Sequence, residues 1–166
     1  PSFTLKPETL YTLTFWIKVD GGGNFQGGLR EIDGGNKTLT YTWQKTRNNV
    51  GWVEYALVAK TRAGAVKGEV YFQGLEDFLG QAWIDDVCLV EGGDLETAKK
   101  RTAARKPATN LLEDPGFELG GKGWSLPVEG RLSAAGGNAG PACLVIDNPD
   151  RKKKSPIAAY TLSDIP

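Results

Sequence analysis

The chain has 166 residues, with 20 basic and 20 acidic side chains, enough for one domain with a sizeable core. The balanced charge leaves no global field to draw in nucleic acid or an anionic membrane, and no apolar run approaches the ~20 residues of a membrane span. Histidine is absent, which removes the commonest general base and the usual zinc ligand.

Methionine is absent too, so the chain reads as a mature, processed or excised piece and says nothing of targeting. The 22 glycines, with many threonines, valines, tyrosines and tryptophans, favour short strands joined by tight turns. Cys88 and Cys143 are too few for a disulfide scaffold; one bridge or two small buried thiols are both open.

Residues 2–6 alternate polar and apolar before Pro7 and predict a short strand. Residues 10–19 predict a longer one, with Tyr11, Leu13, Phe15 and Ile17 on the core face and Thr12, Thr14, Trp16 and Lys18 opposite. Residues 21–28 read as a flexible glycine-rich loop; strands follow it, so it lacks the helix N-terminus of a phosphate cradle. Residues 29–32 are another short strand, closed by the turn signal Asp33-Gly34-Gly35-Asn36. Residues 37–45 place Leu39, Tyr41 and Trp43 together. Residues 51–60 place Val53, Tyr55, Leu57 and Ala59 together, and residues 67–73 do so with Val70 and Phe72. Strands at this spacing with no helix between them predict an all-β sandwich.

Residues 80–91 form the strand around which the chain is organised. Plain alternation puts Trp83, Asp85, Val87 and Leu89 on one face and Ile84, Asp86, Cys88 and Val90 on the other. Each face then carries a carboxylate into apolar company, where it needs a proton, a cation or several donors. Residues 94–105 have an early acidic and a late basic bias with almost no apolar face, and Pro107 follows: a linker or short helix. After the compact segment that begins at Asn110, residues 131–135, 142–147 and 156–163 predict three more strands, with a basic hairpin tip at residues 151–154.

Asn110-Leu111-Leu112, Asp114-Pro115-Gly116-Phe117-Glu118 and Gly123-Trp124 resemble the opening of carbohydrate-binding modules of the 4/9 type. The stretch from Phe3 to Phe15, with its proline turn and Tyr-Thr-Leu-x-Phe, resembles a later part of that pattern. Trp83-Ile84-Asp85-Asp86-Val87-Cys88-Leu89 resembles its closing strand. The resemblance implies an all-β jelly-roll sandwich, but the order is rotated. Phe3-Thr4-Leu5 followed by Pro7 resembles Tyr160-Thr161-Leu162 followed by Pro166, as in one period of a tandem array cut inside a module. Residues 1–92 are then the C-terminal portion of a sandwich, 93–108 the linker and 109–166 the N-terminal portion. The two portions either complete each other as a circular permutation, complete a neighbouring chain by strand exchange into a homo-polymer, or are an excerpt of a longer array.

In the family resembled, a structural calcium sits where the opening segment meets the closing strand. The matching residues are Glu118 and one of Asp85 or Asp86, with the chain around Asn110 adding oxygens. The alternative is that these acids accept hydrogen bonds from turn amides. For sugar, the aromatic and polar candidates are Trp16, Trp43, Tyr41, Gln44 and Trp52; most tryptophans of a sandwich pack the core. Catalytic residues are not expected: Asp85 and Asp86 are adjacent and point apart, and no nucleophile–base pair is visible. The expectation is a non-catalytic module of an extracellular or cell-surface protein that binds polysaccharide. The alternative is a structural repeat of a surface layer or filament without sugar binding.

Overall fold

The computed structural model describes residues 3–75, 77–93, 110–127, 130–149 and 157–160, with backbone alone for residues 3 and 157–160. Its strands in chain order are β1 (Phe3–Thr4), β2 (Leu10–Gly22), β3 (Phe25–Ile32), β4 (Thr38–Thr46), β5 (Asn49–Lys60), β6 (Lys67–Gly74), β7 (Leu79–Glu91), β8 (Trp124–Ser125), β9 (Gly130–Ser133), β10 (Cys143–Asn148) and β11 (Ile157–Tyr160). The expected linker or helix at 94–105, the basic tip at 151–154 and the terminal residues 161–166 lie outside the described residues.

Alternation builds the core as the sequence suggests. Tyr11, Leu13, Phe15 and Ile17 of β2 are buried, as are Leu57 and Ala59 of β5 and Val70 and Phe72 of β6. Their strands divide between two antiparallel sheets. The six-stranded sheet runs β4-β3-β6-β11-β8, with β1 also beside β6. The five-stranded sheet runs β5-β2-β7-β10-β9. One apolar cluster draws on both, so the architecture is a β-sandwich.

Strands from late in the sequence enter both sheets of this single chain. β10 pairs with β7, Leu144 opposite Ile84, and β11 pairs with β6, Ala158 opposite Phe72. Phe117 and Leu112 are buried in the same cluster as Val87 and Leu89. The residues from Asn110 onward thus cover core surface that would otherwise leave β6 and β7 as open edges.

Two local expectations are corrected. The glycine-rich stretch is not a flexible loop: β2 continues to Gly22, β3 begins at Phe25, and Gly27 and Gly28 sit inside a strand. A Cβ on Gly27 would lie 2.7 Å from the rings of Phe15 and Phe72, so the glycine makes room for core aromatics. The second correction concerns β7. Thr14 pairs with Cys88 and Trp16 with Asp85, three steps along β7 against two along β2. One extra residue bulges there, and Asp86 takes the left-handed φ of 48°. The bulge resets the alternation, so Ala82, Ile84, Val87 and Leu89 face the core and Trp83 does not join Val87 and Leu89.

Candidate functional site

The outer face of the six-stranded sheet gathers aromatic and polar side chains from three strands. On β6, Val70 and Phe72 point inward, so Glu69, Tyr71 and Gln73 point out. On β3, Phe25 and Leu29 point inward, so Gln26, Gly28 and Arg30 point out. β4 lies beside them as an edge and contributes Tyr41 and Trp43. The pairing register sets Arg30 between Tyr41 and Glu69, and Gly28 between Trp43 and Tyr71.

Tyr41 and Trp43 stack with their planes 9° apart and their centroids 5.2 Å apart. Tyr71 meets both edge-on, at 6.2 and 6.4 Å. The indole of Trp43 occupies the space a side chain at position 28 would take, which is why a glycine stands there. Tyr41 remains 44% exposed, the most open aromatic of the group.

Arg30 ties the polar part together. Its Nε donates to Thr38 Oγ1 at 2.8 Å, and Nη1 donates to Glu69 Oε2 and to the Tyr71 hydroxyl, both at 2.9 Å. The Tyr71 hydroxyl donates in turn to Glu69 Oε2 at 2.7 Å. The guanidinium also lies 5.8 and 5.9 Å from the Tyr41 and Tyr71 rings. Burial, and then the hydrogen bond to Glu69, push the Tyr71 phenol up to about 12. Burial works against the charge on Arg30, but the bonds to Tyr71 and the field of Glu69 outweigh it and hold its pKa up. At neutral pH this is a fixed, charge-compensated trio beside a flat aromatic pair.

The residues expected to bind sugar do not converge. Tyr41 and Trp43 share this face. Gln44 follows Trp43 and turns to the other side of β4, into a hollow of about 660 Å³ that Arg47, Asn49 and Tyr55 also line. Trp16 and Trp52 lie on the other sheet, on its outer face. There Lys18 sits 4.1 Å from the Trp83 ring and 5.8 Å from the Trp52 ring. Trp124 packs on Phe117 and Phe72, and its Nε1 donates to the Asp114 carbonyl. Sequence reading missed Arg30, Glu69 and Tyr71. The alternation of β6 already turned Glu69 and Tyr71 outward; the register that brings them to Tyr41 is a tertiary fact.

Of the acids expected to hold calcium, Asp85 and Asp86 sit at the β7 bulge and Glu118 reaches the same neighbourhood through its Cγ. A Cβ on Gly116 would lie 3.5 Å from Asp85 Oδ1, 3.8 Å from Asp86 Oδ1 and 3.8 Å from Glu118 Cγ. Asp85, only 1% exposed, is met by turn amides: Oδ1 accepts from Asp86 N, and Oδ2 accepts from Asn138 N and Ala139 N. Glu118 accepts from Ala142 N, and Asp86 from the Asn138 side chain. The amide of Asn110 is committed to backbone, accepting from Leu89 N and Leu112 N and donating to the Val87 carbonyl. Asp114, which the sequence reading passed over, accepts from Leu119 N, Gly121 N and Lys122 N. Among the described residues no group of three or more acidic or thiol side chains is drawn close enough to form a ready-made metal cage. Cys88 and Cys143 are not joined in a disulfide.

Burial, then the charge of Asp86, raise the Asp85 pKa to about 6, although the three amides pull the other way. Among the described residues no helix is long and apolar enough to cross a membrane. The chain matches no protein-family model and no curated protein. What the structure defines is the class: an all-β sandwich of two antiparallel sheets.

Proposed function

We propose that the chain is a non-catalytic, carbohydrate-binding β-sandwich module, and that the ligand lies across the outer face of the six-stranded sheet. The supporting observation is the parallel Tyr41–Trp43 pair beside the Arg30–Glu69–Tyr71 network. Flat aromatic surface suits the apolar face of a pyranose ring, and fixed donors and acceptors at its border suit hydroxyls. The single carboxylate of that network is tied to Arg30 and Tyr71, an arrangement for holding and not for proton transfer. An extracellular or cell-surface setting goes with this reading.

A glycan array with the isolated chain tests it. Binding is expected, and Trp43→Ala or Tyr41→Ala should weaken it by about tenfold or more, about 1.4 kcal/mol. An array without binding, or binding indifferent to both substitutions, would overturn the proposal; absent binding together with ordered polymers would favour a structural repeat instead.

The reading includes a structural calcium at the β7 bulge, with Asp85, Asp86 and Glu118 as carboxylate donors. Because turn amides already meet these acids, an ion would have to draw them together. Asn110 is spent on backbone and is not counted among the ligands. Melting with and without chelator decides it: the midpoint should fall on chelation, and an unchanged midpoint removes the ion.

A further inference from the structure

We infer that Glu69 sets the charge of the ligand this face accepts, restricting it to neutral sugars. The inference rests on the proposed function and names its ligand class. Arg30 lies 5.8 Å over the Tyr41 ring of the aromatic pair, and an uncompensated guanidinium there would favour a sugar carboxylate through a paired hydrogen bond. Glu69 lies 2.9 Å from Arg30 Nη1, with both side chains only partly exposed. Nε is already engaged by Thr38, and Nη1 is shared by Glu69 and Tyr71. That leaves Nη2 as the donor edge for a ligand hydroxyl. An anionic ligand held at Nη2 would stand beside the Glu69 carboxylate, whose side chain is only 13% exposed, and like charges there are unfavourable.

Among the described residues, two further cations, Lys67 and Lys45, lie on the strands of this sheet. Lys67 donates to Asn36 Oδ1 at 2.9 Å, beside the β3–β4 turn. Lys45 is exposed, two residues beyond Trp43 on the edge strand. Both are solvated charges, which salt screens readily. The Tyr71 phenol stays protonated throughout the neutral range, since its pKa is about 12.

The test is a charge exchange read on two probes, a neutral gluco-oligosaccharide series and an oligogalacturonide. The wild-type chain should bind neutral members, with an affinity that salt leaves unchanged, and should not bind the oligogalacturonide. Glu69→Gln keeps the shape and one acceptor oxygen for Arg30 and Tyr71 but leaves the guanidinium uncompensated. It should gain oligogalacturonide binding by about tenfold, and that gain should vanish in about 1 M NaCl, where the Debye length is about 3 Å. The double variant Arg30→Gln with Glu69→Gln restores neutrality and should lose the gain; it also serves where Glu69→Gln alone folds poorly. A wild-type chain that prefers the oligogalacturonide, or a folded Glu69→Gln chain with no gain, overturns the role of Glu69 while leaving sugar binding intact. A wild-type chain that binds sugars of neither kind defeats the underlying reading instead.

Discussion

Asp85 is a carboxyl held well above its ordinary pKa. It is buried beside Asp86, and its pKa rises from 3.8 to about 6. Between these values the folded chain binds more protons than the unfolded chain at this site. The contribution to stability is therefore present at low pH and lost as pH rises from about 4 to about 6. Urea unfolding of wild type and Asp85→Asn across that window should differ in slope, with the variant flatter. A calcium ion at the bulge would favour the carboxylate and reverse the slope, so the same titration with and without calcium also reads the metal. Parallel slopes for the two proteins would contradict the assignment of the buried proton to Asp85.

At the scale of elements, the joint between the closing strand and the segment from Asn110 onward is held by side chains that imitate backbone. Asn110 accepts from Leu89 N and donates to the Val87 carbonyl, while Val87 N donates to the Pro115 carbonyl. Removing the Asn110 amide leaves buried strand groups unmatched, at about 1–3 kcal/mol each. Asn110→Ala should lower the melting midpoint clearly, whereas Lys122→Ala, which breaks only the exposed pair with Glu113, should hardly move it. Equal midpoints for the two variants would mean that the joint is held elsewhere. The strands themselves were legible because their apolar positions alternate, as in Tyr11 to Ile17. The bulge was not: Ile84-Asp85-Asp86-Val87 gives no local sign that one residue is extra. Gly27 and Gly28 misled for a related reason, since a glycine that admits a neighbouring ring looks in sequence like one that serves a loop.

At the scale of the molecule, the two outer faces separate side chains that sequence alone grouped together. Trp16 and Trp52 belong to one sheet, Tyr41 and Trp43 to the other, and the second pair stands beside a fixed polar network. Since β10 and β11 close against β7 and β6 of the same chain, the folded protein should sediment as a monomer of 17.9 kDa at all dilutions. Concentration-dependent polymers would point to exchange between chains. The most direct check on the whole account uses the five tryptophans as reporters, because each gives its own indole N–H resonance. Titrating a neutral oligosaccharide into the labelled protein should move the Trp43 signal and leave those of Trp16, Trp52 and Trp83 in place. Movement confined to the latter three, or none at all, would contradict the site.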